Sequence, residues 1–235
     1  SLKKIPSTLE IGTSLVPLTV RPHQKSTRFS LRWNSHNRAL LVTVPLKYSV
    51  IDLMKFIDQS KPWITKQMDK TLPTHTYHDG MILPLLGKMY ELRHRPASKM
   101  RFFLADDHLL LHAPNENLNH HVVTSLYRIA HTFLKNQTLD FASMINKQVT
   151  RISIKDPKSR WGSCSSNRPT SYSWRLILAP LDVAQYVCAH ESAHLVEMNH
   201  SKAFWRIVED LCPHHKESRT WLKTHGKSLF QYTGK

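Results

Sequence analysis

Residues 181–200 read Leu-Asp-Val-Ala-Gln-Tyr-Val-Cys-Ala-His-Glu-Ser-Ala-His-Leu-Val-Glu-Met-Asn-His, and this stretch decides the reading of the chain. Pro180 closes what precedes it, and Asp182 falls in the first turn, where a carboxylate suits the helix dipole. Within the helix stands His190-Glu191-Ser192-Ala193-His194. Side chains four apart lie on one helical face, roughly 5–6 Å apart at Cβ, so both imidazoles can converge on one ion. Glu191 projects to the side of that ion, where it can take a proton from a metal-bound water. Zinc suits such a set, because it accepts neutral imidazole and leaves a position open for water.

A third protein ligand is needed, and His200 is the candidate. It can face the other two rings if the helix stops between His194 and His200. Asn199 is expected to end it in the left-handed conformation, and Ser201 to cap a new helix from Lys202. Six residues also separate these positions in the pattern H-E-x-x-H-x-x-G-x-x-H, but Glu197 stands at its glycine position. Glu197 is the alternative third ligand. The chain holds 16 His among 235 residues, so a bare H-x-x-x-H can arise by chance. His108 and His112 form such a pair, with no carboxylate adjoining in the metal-site arrangement.

Working outward, residues 27–33 and 38–44 alternate and predict a hairpin around Asn34–Asn37. A helix follows from Ser49 to about Lys70, which Pro62 should break or kink. Residues 71–80 read as a linker. Strand pairs are expected at 82–86 with 89–94 and at 100–104 with 108–112, and a long helix over Leu118–Val149 capped by Asn115 or Asn117. No internal repeat is visible. These elements predict an α+β chain divided into a β-rich domain with one helix over 1–114 and a catalytic domain over 115–235.

Composition bounds the rest. There are 33 Lys and Arg against 17 Asp and Glu, a formal charge of +16 spread along the chain rather than gathered in a tail. Nucleic acid or a nucleotide is therefore a conceivable partner. No apolar run approaches the roughly 18 residues of a membrane span, and no leader-like segment opens the chain. Three Cys make an odd number, which fits a reduced, cytoplasmic setting better than a disulfide framework. Only 6 Gly occur, so each is expected where the backbone needs one.

Ser159-Arg160-Trp161-Gly162-Ser163-Cys164-Ser165-Ser166, Trp174-Arg175-Leu176-Ile177-Leu178-Ala179-Pro180, the H-E-x-x-H, Met198-Asn199-His200-Ser201 and Phe204-Trp205 closely resemble the YgjP-like metallopeptidases. These are compact zincins related to the SprT and WLM groups. The resemblance covers nearly the whole chain. It implies that His190, His194 and His200 bind one zinc ion, that Glu191 is the catalytic base, and that the substrate is a peptide. It also suggests that Ser171–Ile177 forms a strand beside the metal that pairs with an extended peptide. Arg160, Trp161, Trp174 and Arg175 are the candidate substrate residues. Ser192 replaces the family's usual Leu, Arg168-Pro169 replaces a glycine turn, and Ser173 replaces an Asn. Zinc-activated water also admits other bonds, such as a nucleotide phosphoanhydride. A DNA-docked protease is a further alternative.

Overall fold

A computed structural model describes residues 5–12, 14–34, 37–69, 74–165 and 169–233. The chain divides into two compact units, 1–73 and 74–235. The expected boundary near residue 114 is therefore too late. The reason is burial: Leu83, Leu85, Leu92, Leu109 and Leu111 share one core with Val122, Leu126, Val183 and Val187. The sheet that carries those leucines thus belongs with the catalytic helices. Part of the supposed linker does too, since Tyr77 is buried in that core and its N–H donates to Asn119 Oδ1 at 3.0 Å. Residues 71–73 of that linker lie outside the described residues.

In the first unit, β1 (Thr8–Ile11), β2 (Ser14–Pro22), β3 (Ser30–Asn34) and β4 (Ala39–Val44) form one sheet in the order β1-β2-β4-β3. The expected hairpin is β3 with β4, though Ser35 and His36 of its loop lie outside the described residues. Ser49 caps α1 (Val50–Gln59), its hydroxyl accepting from Asp52 N–H at 3.3 Å. Pro62 splits the expected single helix. It sits in the first turn of α2 (Lys61–Asp69), where a missing N–H costs nothing. Leu53, Ile57, Ile64 and Met68 of these helices cover Val16, Leu40, Val42 and Val44.

In the second unit, β5 (Ile82–Leu85), β6 (Lys88–Pro96), β7 (Arg101–Leu104) and β8 (His108–Ala113) take the order β5-β6-β8-β7. This is the first sheet's pattern again, two hairpins joined through a parallel central pair. Leu92 faces Leu109 as Leu18 faces Leu40, and Pro96 faces Ala113 as Pro22 faces Val44. Bonds outside the ladders recur as well. Leu18 N–H donates to Ser7 O at 2.8 Å where Leu92 N–H donates to Met81 O at 2.8 Å, and His23 N–H to Val44 O at 2.9 Å where Ala97 N–H donates to Ala113 O at 3.0 Å. A structural repeat is present that the sequence hides, because backbone geometry and inward apolar positions recur while the other side chains differ.

The long helix α3 (Leu118–Met144) stops five residues before the expected Val149. Asn146 takes φ +53°, and Lys147 N–H returns to Ala142 O at 2.8 Å, a left-handed termination. A small sheet follows, with β11 (Pro169–Ser173) between antiparallel β10 (Gly162–Cys164) and parallel β9 (Arg151–Lys155). Helices α4 (Leu181–Ala193), α5 (Lys202–Leu211) and α6 (His215–His225) complete the unit. The chain is thus mixed α+β, with small sheets and six helices among the described residues. None of those helices is long and apolar enough to cross a membrane.

Candidate metal centre

Small and apolar residues let α4 run through the core: Val183, Ala184, Val187, Cys188, Ala189 and Ala193 are all buried. It ends at Ala193, with His194 as C-cap in the right-handed region, and Leu195 N–H and Glu197 N–H fold back onto Ser192 O and Ala193 O. Asn199 keeps a negative φ, so the expected left-handed asparagine is absent, and the reversal spans 194–201 instead. Ser201 then caps α5 as expected, its hydroxyl accepting from Phe204 N–H at 3.2 Å.

This reversal brings His200 against the helix. One ligand nitrogen from each of His190, His194 and His200 lies within 4.8 Å of the others. His190 Nε2 and His200 Nε2 stand 3.1 Å apart. Three imidazoles converging this closely suit a divalent ion of the zinc type, which takes nitrogen at about 2.0–2.1 Å in tetrahedral geometry. His190 and His194 are biased toward their neutral, ligating form. Burial and then the neighbouring His194 and His200 push the pKa of His190 down to about 4. Burial lowers His194 as well. Its Nδ1–H donates to the Glu197 carbonyl at 3.1 Å, which fixes the tautomer and leaves Nε2 free. Glu197 thus enters through its backbone, and its carboxylate is not part of the cluster. His190 is braced by edge-on ring contacts instead, with Phe204 at 4.9 Å and Trp205 at 5.9 Å between centroids, while its buried Nδ1 has no hydrogen-bond partner among the described residues.

Glu191 is buried beside the rings, 5% exposed. Burial raises its pKa to about 8, opposed by a hydrogen bond from the Cys164 backbone amide and by the charge of Arg160. Gly162 makes room for it. A Cβ on Gly162 would lie 2.5 Å from Glu191 Oε1 and 2.7 Å from its Cγ. The strand against Glu191 is therefore β10, an edge strand, and the expectation of a strand over Ser171–Ile177 needs correction. β11 ends at Ser173, whose hydroxyl accepts from Arg175 N–H and starts a 3-10 turn over Trp174–Leu178. Sequence reasoning placed Gly162 inside a family motif without a role. The closeness of two backbones has no signature in the order of residues.

The four candidate substrate residues divide. Arg160 is exposed and Trp161 half-buried, and both line a cavity of about 200 Å³ with Gly162, Ser163 and Ser171. Trp161 also packs on Phe230 at 5.3 Å. Trp174 and Arg175, at 0% and 1% exposure, have no face left for a substrate. Trp174 stacks on Tyr127 at 5.5 Å, and the Arg175 guanidinium lies 4.6 Å over the Trp174 ring. Arg175 also pairs with Asp156, and its Nε–H donates to Tyr232 O at 3.1 Å. Arg175→Met is expected to destabilise the fold by about 2 kcal/mol, less than a fully buried pair because Asp156 is half-exposed, with KM unchanged. Thermal denaturation and steady-state kinetics check this, and a raised KM at unchanged stability would restore the substrate role. Cys164 stands outside the histidine cluster, and burial raises its thiol pKa. Arg168 lies outside the described residues.

Comparison with known proteins returns three findings. Curated proteins give no match. The crystal structure of the metallopeptidase zymogen of Pyrococcus abyssi abylysin aligns at 22% identity over 39% of this chain and 94% of that chain, with a TM-score of 0.35. A family model, YgjP-like metallopeptidase domain, matches residues 27–225, which include the β10 glycine, the H-E-x-x-H helix and His200. With most of its length inside that match, the chain belongs to the YgjP-like metallopeptidase family.

Proposed function

We propose that this protein is a zinc metallopeptidase of the zincin type, with His190, His194 and His200 as ligands and Glu191 as general base. The observation that carries the reading is the convergence of three imidazole nitrogens within 4.8 Å, with a buried carboxyl on the next residue of the same helix. Zinc bound there supplies a Lewis acid and a water of pKa near 7. The protein's part is proton handling and positioning. Glu191 takes the proton of the attacking water and returns it to the leaving amine, which suits a carboxyl whose pKa burial has brought close to neutrality. The Cys164 amide holds that carboxyl in one orientation through the transfer. Trp205 and Phe204 brace the rings, and the exposed edge of β10 is where an extended peptide can add as a further strand.

A chelator is expected to abolish peptide hydrolysis by the purified protein, and one equivalent of zinc per chain to restore it. Elemental analysis alongside a peptide-library digest measures both. Hydrolysis that survives complete metal removal would overturn the proposal.

A further inference from the structure

Next to the three histidines, α5 and α6 enclose a groove of about 480 Å³ that the chemistry above does not use. Lys202, Arg206, Lys216 and Arg219 line it, against one carboxylate, Glu209. Glu209 is engaged by Lys216 at 3.7 Å, and among the described residues Lys202, Arg206 and Arg219 have no carboxylate partner. One wall is aromatic: the Trp205 ring meets the Arg219 guanidinium, 5.1 Å from its centre, and the His215 ring, stacked at 6.0 Å. His215 is 5% exposed, and its buried Nδ1 has no hydrogen-bond partner among the described residues. Cations gathered in a concave site, beside a buried polar atom left unsatisfied, form a place where an anion recovers more than it loses on leaving water.

Trp205 connects the groove to the metal centre, its ring 6.0 Å from His200 and 5.9 Å from His190. An extended peptide advances about 3.3 Å per residue, so a side chain in the groove belongs to a residue one to three positions from the bond at the histidines. The groove is also pocket-sized, which fits one side chain rather than a polyanion backbone.

We infer that the α5–α6 groove is a specificity subsite for an anionic side chain, a carboxylate or a phosphorylated hydroxyl, close to the cleavage point of a peptide. This deepens the metallopeptidase reading and rests on it for the word substrate. It does not rest on it for binding. Arg206 and Arg219 supply the charge, Lys202 adds to it, and the buried His215 ring backs Trp205. Part of the chain's large positive charge thereby acquires a place and a ligand.

The test uses the full-length protein and acetylated, amidated hexapeptides in which Asp, phosphoserine, Asn or Lys is scanned through every position. Binding is measured by calorimetry, and cleavage of the same peptides is followed separately. At one or two positions Asp or phosphoserine is expected to bind at least about tenfold more tightly than Asn, a ratio that corresponds to about 1.4 kcal/mol. Whichever of the two binds better identifies the anion. In Arg206→Gln/Arg219→Gln the ratio is expected to fall toward one, and in Arg206→Glu the Lys peptide is expected to gain on the Asp peptide. A merely structural role for Arg206 would lower all affinities together and leave that order alone. Equal binding of Asp, phosphoserine and Asn at every position overturns the inference, as does a ratio that both variants leave untouched. Anion-selective binding with no cleavage would retain the subsite and remove the peptidase reading. Cleavage with no anion preference would do the reverse.

Discussion

Glu191→Gln is expected to lower peptide hydrolysis by roughly 10³-fold, within the 10²–10⁴ that a positioned general acid–base supplies, while zinc content stays at that of the wild type. The substitution keeps shape and one carbonyl oxygen, so the Cys164 amide still has an acceptor. It removes only the capacity to take and return a proton. The three imidazoles are untouched, which separates this variant from a ligand mutant. Thermal stability is not expected to fall, because burial disfavours the ionised Glu191 and an amide carries no such penalty. Metal analysis, a melting curve and turnover on one preparation decide the matter. Activity within tenfold of wild type would take the proton transfer away from Glu191.

Gly162→Ala is expected to cost about 10²-fold in turnover, the scale of a misplacement of about 1 Å at a reacting group. The added methyl would overlap Oε1, Cγ and Cδ of Glu191 at 2.5, 2.7 and 2.9 Å. All three atoms belong to one buried side chain whose carboxyl is already held by a backbone amide, so any retreat gives up that bond. Either the carboxyl leaves its place or β10 moves off α4. Elsewhere a glycine-to-alanine change stabilises slightly by stiffening the unfolded chain. Here overpacking is expected to reverse the sign, at about 1–3 kcal/mol. Zinc stoichiometry is expected to hold, because the three atoms nearest the methyl all belong to Glu191 and not to a ligand. A fully active, wild-type-stable variant would show that β10 has slack.

How much of this was legible depended on the range of the interactions. The histidine positions follow from helical geometry, and the cap at Ser201 from the local chemistry of a hydroxyl, so both could be read from a few neighbouring residues. Asn117 stands at the N-cap position of α3, one of the two residues expected there, but in a left-handed conformation with no side-chain capping bond, and Asn146 ends the helix in the left-handed conformation earlier than expected. Strand β2 escaped because Pro17 and Pro22 argue against a strand, yet Pro17 takes an outward position where the β1 ladder ends and the β4 ladder has not begun, and Pro22 is the strand's last residue. Trp174 and Arg175 misled for a different reason. Large aromatic and cationic residues in a family motif look available for binding, and nothing local reveals that Asp156, Tyr127 and Tyr232 have already engaged them. The division at residue 73 likewise depends on which core the leucines of β5–β8 enter, a property of the whole chain.

The repeated sheet carries a hazard of its own. Two copies of one pairing scheme in a single polypeptide can exchange strands while the chain is still finding its partners, and misassembly of this kind is a characteristic failure of repeat-containing chains. β2 and β6 are both nine residues long and hold the same place in their sheets, each paired parallel to the next hairpin, so either has the length to take the other's partner. What tells the copies apart is written on their outer positions. Glu91 and Arg93 of β6 pair at 2.8 Å, and Arg93 reaches Asp107 in the turn before β8 at 4.0 Å. The register puts Pro17 and Thr19 at the same two places in the first copy, and neither can answer that charge pattern. These exposed ion pairs add little to stability. Their consequence is a difference between two otherwise matching sheets, carried on the outer face rather than in the core.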